Sequence, residues 1–203
     1  MSKRITIAEI ARIMGVNPTE IEIVEKAQKP LGEYNRKDVI TLGNREYIVC
    51  GHLPDGKTIL ITKEFYLESV KFDRNSPNYK LSSIREDLKP LYHELKGIVG
   101  EENICKHTVD LTTHNGFKDF GEVEDYISLP TFDFARNNID IFYDFKDSVD
   151  DWGWLATAWG TPETGWTSSV CLVTPVCDIS RYGCFNYDGA RAFCVLKSSI
   201  LVS

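Results

Sequence analysis

The sequence has no long apolar run and no secretion signal. Nowhere does it reach the roughly 18 consecutive apolar residues that a membrane-spanning helix requires. Its first residues carry two cations, Lys3 and Arg4, but Glu9 follows before the apolar segment of an export signal forms. We therefore expect no membrane span, and we expect the protein to work in a reducing, cytoplasmic compartment.

Metal-binding cysteine patterns are also absent. The cysteines contain no C-x-x-C pair, and no histidine stands in a ligand-like register with them. The sequence therefore predicts no metal and no cofactor, with all thiols reduced and Cys50, Cys171 and Cys194 buried as small apolar side chains. The cysteines lie at positions 50, 105, 171, 177, 184 and 194, and the histidines at positions 52, 93, 107 and 114.

Positive charge is scarce, and so are catalytic signatures. The chain carries a net charge of −7 at pH 7, and an acidic protein gains nothing from counterion release on nucleic acid. No G-x-S-x-G nucleophile turn occurs. The aspartates at 144, 147, 150 and 151 lack the glycine and the terminal glutamate of a calcium loop. We expect a protein that is not an enzyme and does not bind nucleic acid.

Residues 1–31 are predicted to form a small helical element. Thr6 and Glu9 make a capping box, and Gly15 marks the end of a first helix. Asn17 and Pro18 start a second helix, so the spacing resembles a helix-turn-helix.

The second of these helices is acidic where a DNA-recognition helix would face phosphates. Its early positions include Glu20, Glu22 and Glu25, which would repel DNA. We therefore interpret residues 1–31 as a docking or oligomerisation element, which allows for a homo-oligomer. A DNA-binding regulator that acts through residues 6–28 remains the alternative.

A polar stretch at 32–37 is predicted to be a linker, and after it the hydrophobic period changes from helical to alternating. Strands are expected at 38–43, 46–50 and 58–62, the last two joined by a turn at Asp55-Gly56. This half of the pattern is typical of an antiparallel sheet.

The rest of the chain mixes helical and strand patterns. A helix is expected at 82–97, with one apolar face formed by Ile84, Leu88, Leu91 and Leu95, and a short helix after Thr131. Short strands are expected at 126–129, 154–156, 170–173 and 191–196. The chain from 38 to 203 is therefore predicted to be one α+β domain.

Several segments follow one another in an order that resembles a known family. They are Leu42-Gly43, Leu60-Ile61-Thr62-Lys63, Ser82-Ser83-Ile84-Arg85-Glu86-Asp87-Leu88, Tyr126-Ile127-Ser128-Leu129-Pro130, Trp152-Gly153-Trp154-Leu155-Ala156-Thr157 and Gly189-Ala190-Arg191-Ala192-Phe193. Together they resemble a domain family of unknown function that is common in Firmicutes and their phages. That family has a C-type-lectin-like fold, in the branch shared with formylglycine-generating enzymes and phage receptor-binding proteins.

The resemblance covers residues 38–199. It implies a twisted antiparallel sheet with flanking helices, in which the first and last strands of the domain lie near each other. The chain departs from the family pattern after Trp154 and around Ala190–Ala192.

Four residues of these motifs are expected to be structural anchors. Arg85 and Arg191 stand in apolar surroundings, where a guanidinium can bind a carboxylate or several loop carbonyls. Gly153 separates Trp152 from Trp154, so one ring is expected to face the core and the other to be half exposed.

Two turn-rich loops, 157–169 and 178–189, carry aromatic residues among Gly, Ser, Thr and Asp. Rigid rings in such surroundings are typical of binding surfaces because they give contact area at little entropic cost. The alternative is that half of these rings only cap the core. We expect a partner to bind on one side of the domain, at Trp159, Trp166, Tyr182, Phe185 and Tyr187.

The sequence therefore favours a non-catalytic module that recognises a protein partner. The resemblance implies that it is encoded by a phage or prophage and works in the cytoplasm of a bacterial host or in a virion. One alternative is an inhibitor of a host defence enzyme, which a single contiguous acidic patch would favour. Another is a metal-dependent oxidase on the same fold, which a converging pair such as Cys184 and Cys194 would favour.

Overall fold

The computed structural model describes residues 28–203 and four isolated earlier positions, 12, 13, 15 and 17. Most of the expected helix-turn-helix-like element at 1–31 lies outside the described residues. Whether residues 6–28 form a docking element or contact DNA therefore stays a prediction.

Fifteen short strands lie within residues 28–203. They are β1 (Lys29–Pro30), β2 (Val39–Leu42), β3 (Arg45–Leu53), β4 (Lys57–Thr62), β5 (Leu67–Lys71), β6 (Ile104–Cys105), β7 (His107–Asp110), β8 (Glu122–Asp125), β9 (Ile127–Ser128), β10 (Gly153–Ala158), β11 (Ser169–Val173), β12 (Ile179–Gly183), β13 (Tyr187–Ala190), β14 (Phe193–Lys197) and β15 (Leu201–Val202). The strands expected from alternation at 46–50, 58–62 and 170–173 are confirmed as parts of β3, β4 and β11.

Four α-helices accompany the strands in residues 28–203. They are α1 (Ser83–Asp87), α2 (Lys89–Val99), α3 (Phe132–Asn137) and α4 (Ile139–Asp144). The expected apolar face at 82–97 is confirmed, since Ile84, Leu88, Leu91 and Leu95 are all buried. Thr131 caps α3 by accepting a hydrogen bond from Phe134 N at 3.1 Å, because its side chain replaces a carbonyl that the helix lacks. Within the part of the chain that the structure describes, no helix could cross a membrane.

The larger sheet has the order β2-β3-β4-β14-β6, and β9 also pairs with β14. Every pairing in it is antiparallel. The β3–β4 hairpin closes at Gly56, whose φ of 74° is left-handed and easily adopted only by glycine. The expected turn at Asp55-Gly56 is thus confirmed.

The second sheet has the order β12-β11-β10-β13-β5. Its pairs are antiparallel except for β10 and β13, which run parallel and meet at Gly153 and Gly189. Both glycines lie under the ring of Phe65, which leaves no room for a Cβ on Gly189. β12 and β5 are the edge strands.

These sheets enclose two apolar clusters rather than one. Successive side chains of a strand point to opposite faces, so Trp154 and Ala156 join the larger cluster while Leu155 joins the smaller. The larger cluster also takes side chains from α1 and α2, and the smaller one from α3 and α4. The expectation of a single sheet is therefore wrong, because the strands form more than one sheet. The α+β class is confirmed.

The expected linker at 32–37 is instead part of the domain. β1 pairs with β15, Leu31 is fully buried, and Gly32 N donates to Ser198 O at 2.8 Å. Arg36 and Lys37 both pair with Asp140 of α4. The segment looks like a linker because its residues are polar, but their partners lie more than a hundred residues away along the chain.

Candidate functional site

A cluster of aromatic rings and one guanidinium lies near the ends of β10 and β12, where β11 begins. His114 stacks on Trp159 with ring centroids 4.0 Å apart and planes 9° from parallel. The guanidinium carbon of Arg181 lies 4.1 Å from the centre of Trp166 and 5.5 Å from that of Trp159. We call these four residues the indole–arginine cluster.

The backbone around the cluster is held by several hydrogen bonds. Trp159 N donates to Ser169 O and Trp166 N to Thr161 O, at 2.9 and 3.0 Å. Gly160 lies so close to Trp166 that a Cβ would meet its Cδ1 at 2.6 Å. These contacts place both indoles before a partner arrives, which lowers the entropic cost of binding.

Arg181 is exposed, and its charge has no carboxylate partner among the described residues. It lies on β12, which pairs with β11 alone in the described part of the chain. A guanidinium against an indole face is held by cation–π attraction and keeps its N–H groups available at the ring edge. The cluster therefore presents a positioned positive charge on an otherwise acidic protein.

The five aromatic residues expected to bind a partner fall into two groups. Trp159 and Trp166 belong to the indole–arginine cluster. Tyr182 follows Arg181 on β12, so its side chain points to the opposite face of the sheet. There the centroid of its ring lies 5.7 Å from that of Trp152. Phe185 and Tyr187 are exposed beyond β12, and Lys71 Nζ lies 4.9 Å from the Tyr187 ring.

The residues expected to be anchors are all positioned by polar contacts or by the core. Arg85 forms a two-pronged ion pair with Asp125, with Nη2 and Oδ1 2.7 Å apart, and Nη1 donates to Lys80 O. Trp154 is buried and its Nε1 donates to Val70 O at 3.0 Å. Trp152 is half-buried against the larger core. Arg191 donates from Nη2 to Phe145 O and Ser148 Oγ.

The thiols are in apolar surroundings. No disulfide joins the six cysteines, and no group of three metal-ligating side chains occurs among the described residues. Burial raises the pKa of Cys50 and of Cys171 to about 12, and that of Cys184 to about 11. Such thiols stay protonated at neutral pH and are poor nucleophiles and ligands.

Two members of the indole–arginine cluster were not foreseen from the sequence. Arg181 could have been found, because it stands in the same loop and strand as the expected aromatics. His114 could not have been found, since it comes from the loop after β7. The loop is held at the cluster by a hydrogen bond in which the backbone N–H of His114 donates to Ala158 O at 2.9 Å.

Comparison with known proteins gave no match, whether the chain was scanned against protein-family models or searched against curated proteins and solved structures. The functional interpretation therefore depends on the geometry of the site itself.

Proposed function

We propose that this protein is a non-catalytic module that binds another protein through the indole–arginine cluster and the open edge of β12. The observation that carries the proposal is the exposed, unpaired guanidinium of Arg181 between two half-buried indoles. Trp and Arg are the residues that most often dominate binding energy at protein interfaces.

The hydrogen-bond pattern of β12 supports a strand-like partner. Thr174 N donates to Asp178 O and Cys184 N to Ser168 O, at either end of the β11–β12 ladder. In an antiparallel pair the bonded residues alternate, so the N–H and C=O groups of Ile179 and Arg181 face outward. An extended segment can add to such an edge, with a carboxylate of that segment reaching Arg181.

The same geometry argues against binding of nucleobases. A base stacks on an open aromatic face. One face of Trp159 is covered by His114, and Trp166 carries Arg181. The net charge of −7 acts in the same direction.

The finer fold and origin are part of this proposal. A C-type-lectin-like domain of the type found in Firmicutes and their phages is supported by the ordered motifs and by the contact of its two ends, where Thr41 N of β2 donates to Ser203 O at 2.8 Å. On this view the protein works in the cytoplasm of a bacterial host or in a virion.

Peptides selected from a displayed random library on the intact protein test the proposal. We expect them to carry Asp or Glu, and to lose about 30-fold in affinity with Arg181→Ala or Trp166→Ala, which corresponds to about 2 kcal/mol. The matched control is Arg136→Ala, because Arg136 also lies over a ring but is already paired with Asp133.

The second aromatic group sharpens the test. Tyr182→Ala, Phe185→Ala and Tyr187→Ala should bind the same peptides nearly as well as the parent protein if the indole–arginine cluster is the binding surface. Thermal midpoints of all variants separate lost binding from lost folding. Selected peptides that bind Arg181→Ala unchanged would refute the proposal.

One observation favours a second candidate, an inhibitor of a host defence enzyme. Glu64, Glu68, Asp150 and Asp151 line a single cleft, which forms a contiguous acidic surface. Such a surface can compete with nucleic acid for a basic groove. Replacing the four with Gln or Asn should abolish any inhibition of a panel of restriction nucleases, and a panel that the parent protein does not inhibit counts against this candidate.

A further inference from the structure

The open edge of β12 carries two charges of opposite sign. Asp178 comes directly before the strand, and Arg181 lies three positions later. Because successive side chains of a strand alternate, the two charges point to opposite faces of the sheet. Both side chains are exposed, and among residues 28–203 neither forms an ion pair. Each is therefore available to a charged group of a partner.

The backbone of this edge fixes which of its residues an added strand can bond. Thr174 N donates to Asp178 O at 2.8 Å, so Asp178 bonds inward, to β11. Bonded residues alternate in an antiparallel ladder, so Ile179 and Arg181 turn their N–H and C=O groups outward. The open edge ends at Gly183, whose carbonyl accepts a hydrogen bond from the turn that follows it. Two residues, with two backbone groups each, thus face a partner.

These positions determine which side chains of an added strand meet the two charges. In antiparallel addition the residue opposite Arg181 comes first along the partner, and the residue opposite Asp178 comes three positions later. Opposite charges directly across a ladder attract, and like charges repel. Between them lies Ile179, which packs against the smaller apolar cluster and favours an apolar neighbour. The complementary order is therefore acid, any residue, apolar, base.

A second copy of β12 does not supply this order. Outward-facing residues pair with outward-facing residues, so every antiparallel register of two copies brings odd-numbered positions together. Arg181 would then lie opposite a residue of the copy that carries no carboxylate: Cys177, Ile179, Arg181 or Gly183. The charges of the edge therefore fit a strand of a different protein better than a second copy of this chain.

We propose that the partner strand adds antiparallel to β12, with an acidic residue opposite Arg181, an apolar residue opposite Ile179 and a basic residue opposite Asp178. This inference rests on the proposed function and names the partner of the same edge. The partner is a protein segment with the order Asp or Glu, any residue, apolar, Lys or Arg. Antiparallel addition is favoured because its hydrogen bonds run perpendicular to the strands, whereas those of a parallel pair are slanted.

Two hexapeptides of equal composition test the order of the charges by calorimetric titration on the full chain. The matched peptide is acetyl-Thr-Glu-Thr-Val-Lys-Thr-amide, and the exchanged peptide is acetyl-Thr-Lys-Thr-Val-Glu-Thr-amide. The matched peptide should bind at millimolar concentration, and the exchanged peptide at least about tenfold more weakly. The reason is that the exchange turns two attractive cross-strand pairs into two repulsive ones.

Reversal of one charge on the protein locates the basic residue of the partner. Asp178→Lys should bind acetyl-Thr-Glu-Thr-Val-Glu-Thr-amide at least about threefold more tightly than the parent protein does. Asp87→Lys is the matched control, since it changes the net charge equally. Asp87 is exposed at the end of α1, which packs beside β5 at the opposite edge of the second sheet. This control should bind the diacidic peptide like the parent protein.

Methylation of the peptide backbone locates the contact with the edge. In the matched peptide the N–H groups of Glu and Val face β12, so N-methylation of either should weaken binding at least about tenfold. The N–H of the Thr between them faces away from β12. N-methylation of that Thr is the control and should leave the affinity nearly unchanged.

Three results would overturn the inference. Equal affinity for the matched and exchanged peptides would mean that the edge does not distinguish the order of charges. Tighter binding of the exchanged peptide would indicate parallel addition. A parent protein that sediments as a dimer, and as a monomer with Arg181→Glu, would assign the edge to a second copy.

The peptides selected from the random library separate this inference from the proposed function. If they bind and depend on Arg181 while the matched hexapeptide does not bind, the inference is wrong and the proposed function stands. If neither the selected peptides nor the hexapeptide bind, both are wrong.

Discussion

The surroundings of Arg85 and Arg191 differ in how the guanidinium is satisfied. Arg85 faces Asp125 with two nitrogens, and the side chains of the pair are 21% and 13% exposed. Arg191 is more deeply buried and has two neutral acceptors, both on Nη2. A paired charge ties one element to another, here α1 to β8. A buried charge without a carboxylate partner is costly to the fold.

Asp125→Ala should have the largest effect, a loss of about 3 kcal/mol in the free energy of unfolding. It leaves the Arg85 guanidinium partly buried without its carboxylate, and breaking such a pair from one side exposes the full desolvation cost. Urea denaturation measures it. Glu124→Ala on the same strand is the control and should cost within about 0.5 kcal/mol. Equal losses in the two variants would remove the contrast between the arginines.

Asp188 extends the comparison to an unpaired carboxyl. It is 4% exposed, its Oδ2 has no hydrogen-bond partner, and burial with the nearby Asp151 raises its pKa to about 7. A carboxyl with a raised pKa holds its proton more tightly in the folded state, so its stabilising effect is present at low pH and is lost as pH rises through 7.

Relative to Asp188→Asn, the parent protein should therefore lose about 2 kcal/mol of unfolding free energy between about pH 5.5 and pH 8. Urea denaturation of both proteins across this range gives the difference and cancels the other titrating groups. If the unfolding free energies of the two proteins change with pH in parallel, the Asp188 carboxyl has a hydrogen-bond or charge partner in solution and is not buried unpaired.

Arg191→Met should have the smallest effect, a loss of about 1 kcal/mol. The variant loses two hydrogen bonds to neutral acceptors, but it also removes a buried charge that lacks a counter-ion. Thermal and urea unfolding measure it beside Asp125→Ala. A loss of about 3 kcal/mol or more would make Arg191 an anchor of the same kind as Arg85.

Elements that depend on near neighbours were predictable. The stripe of Ile84, Leu88, Leu91 and Leu95 and the hairpin at Asp55-Gly56 follow from spacing and from one glycine, so both were found. The segment 32–37 was misjudged because its polar residues are satisfied by α4 and by the C-terminal strand, which no local pattern reveals. The segment 178–189 was expected to be a loop, but most of it forms β12 and β13. The division of the aromatic residues between two faces depends on the register of β11 and β12.

The sequence by itself determined the α+β class and seven of the fifteen strands in residues 28–203, because alternation, helical period and turn residues act over a few positions each. Only the tertiary structure decided which charges found partners. Asp125 lies 40 residues from Arg85, and Phe145 lies 46 residues from Arg191. Folding brought a carboxylate to Arg85 and only neutral oxygens to Arg191. The strands and helices pack through their apolar faces, and this packing determines which polar groups become neighbours.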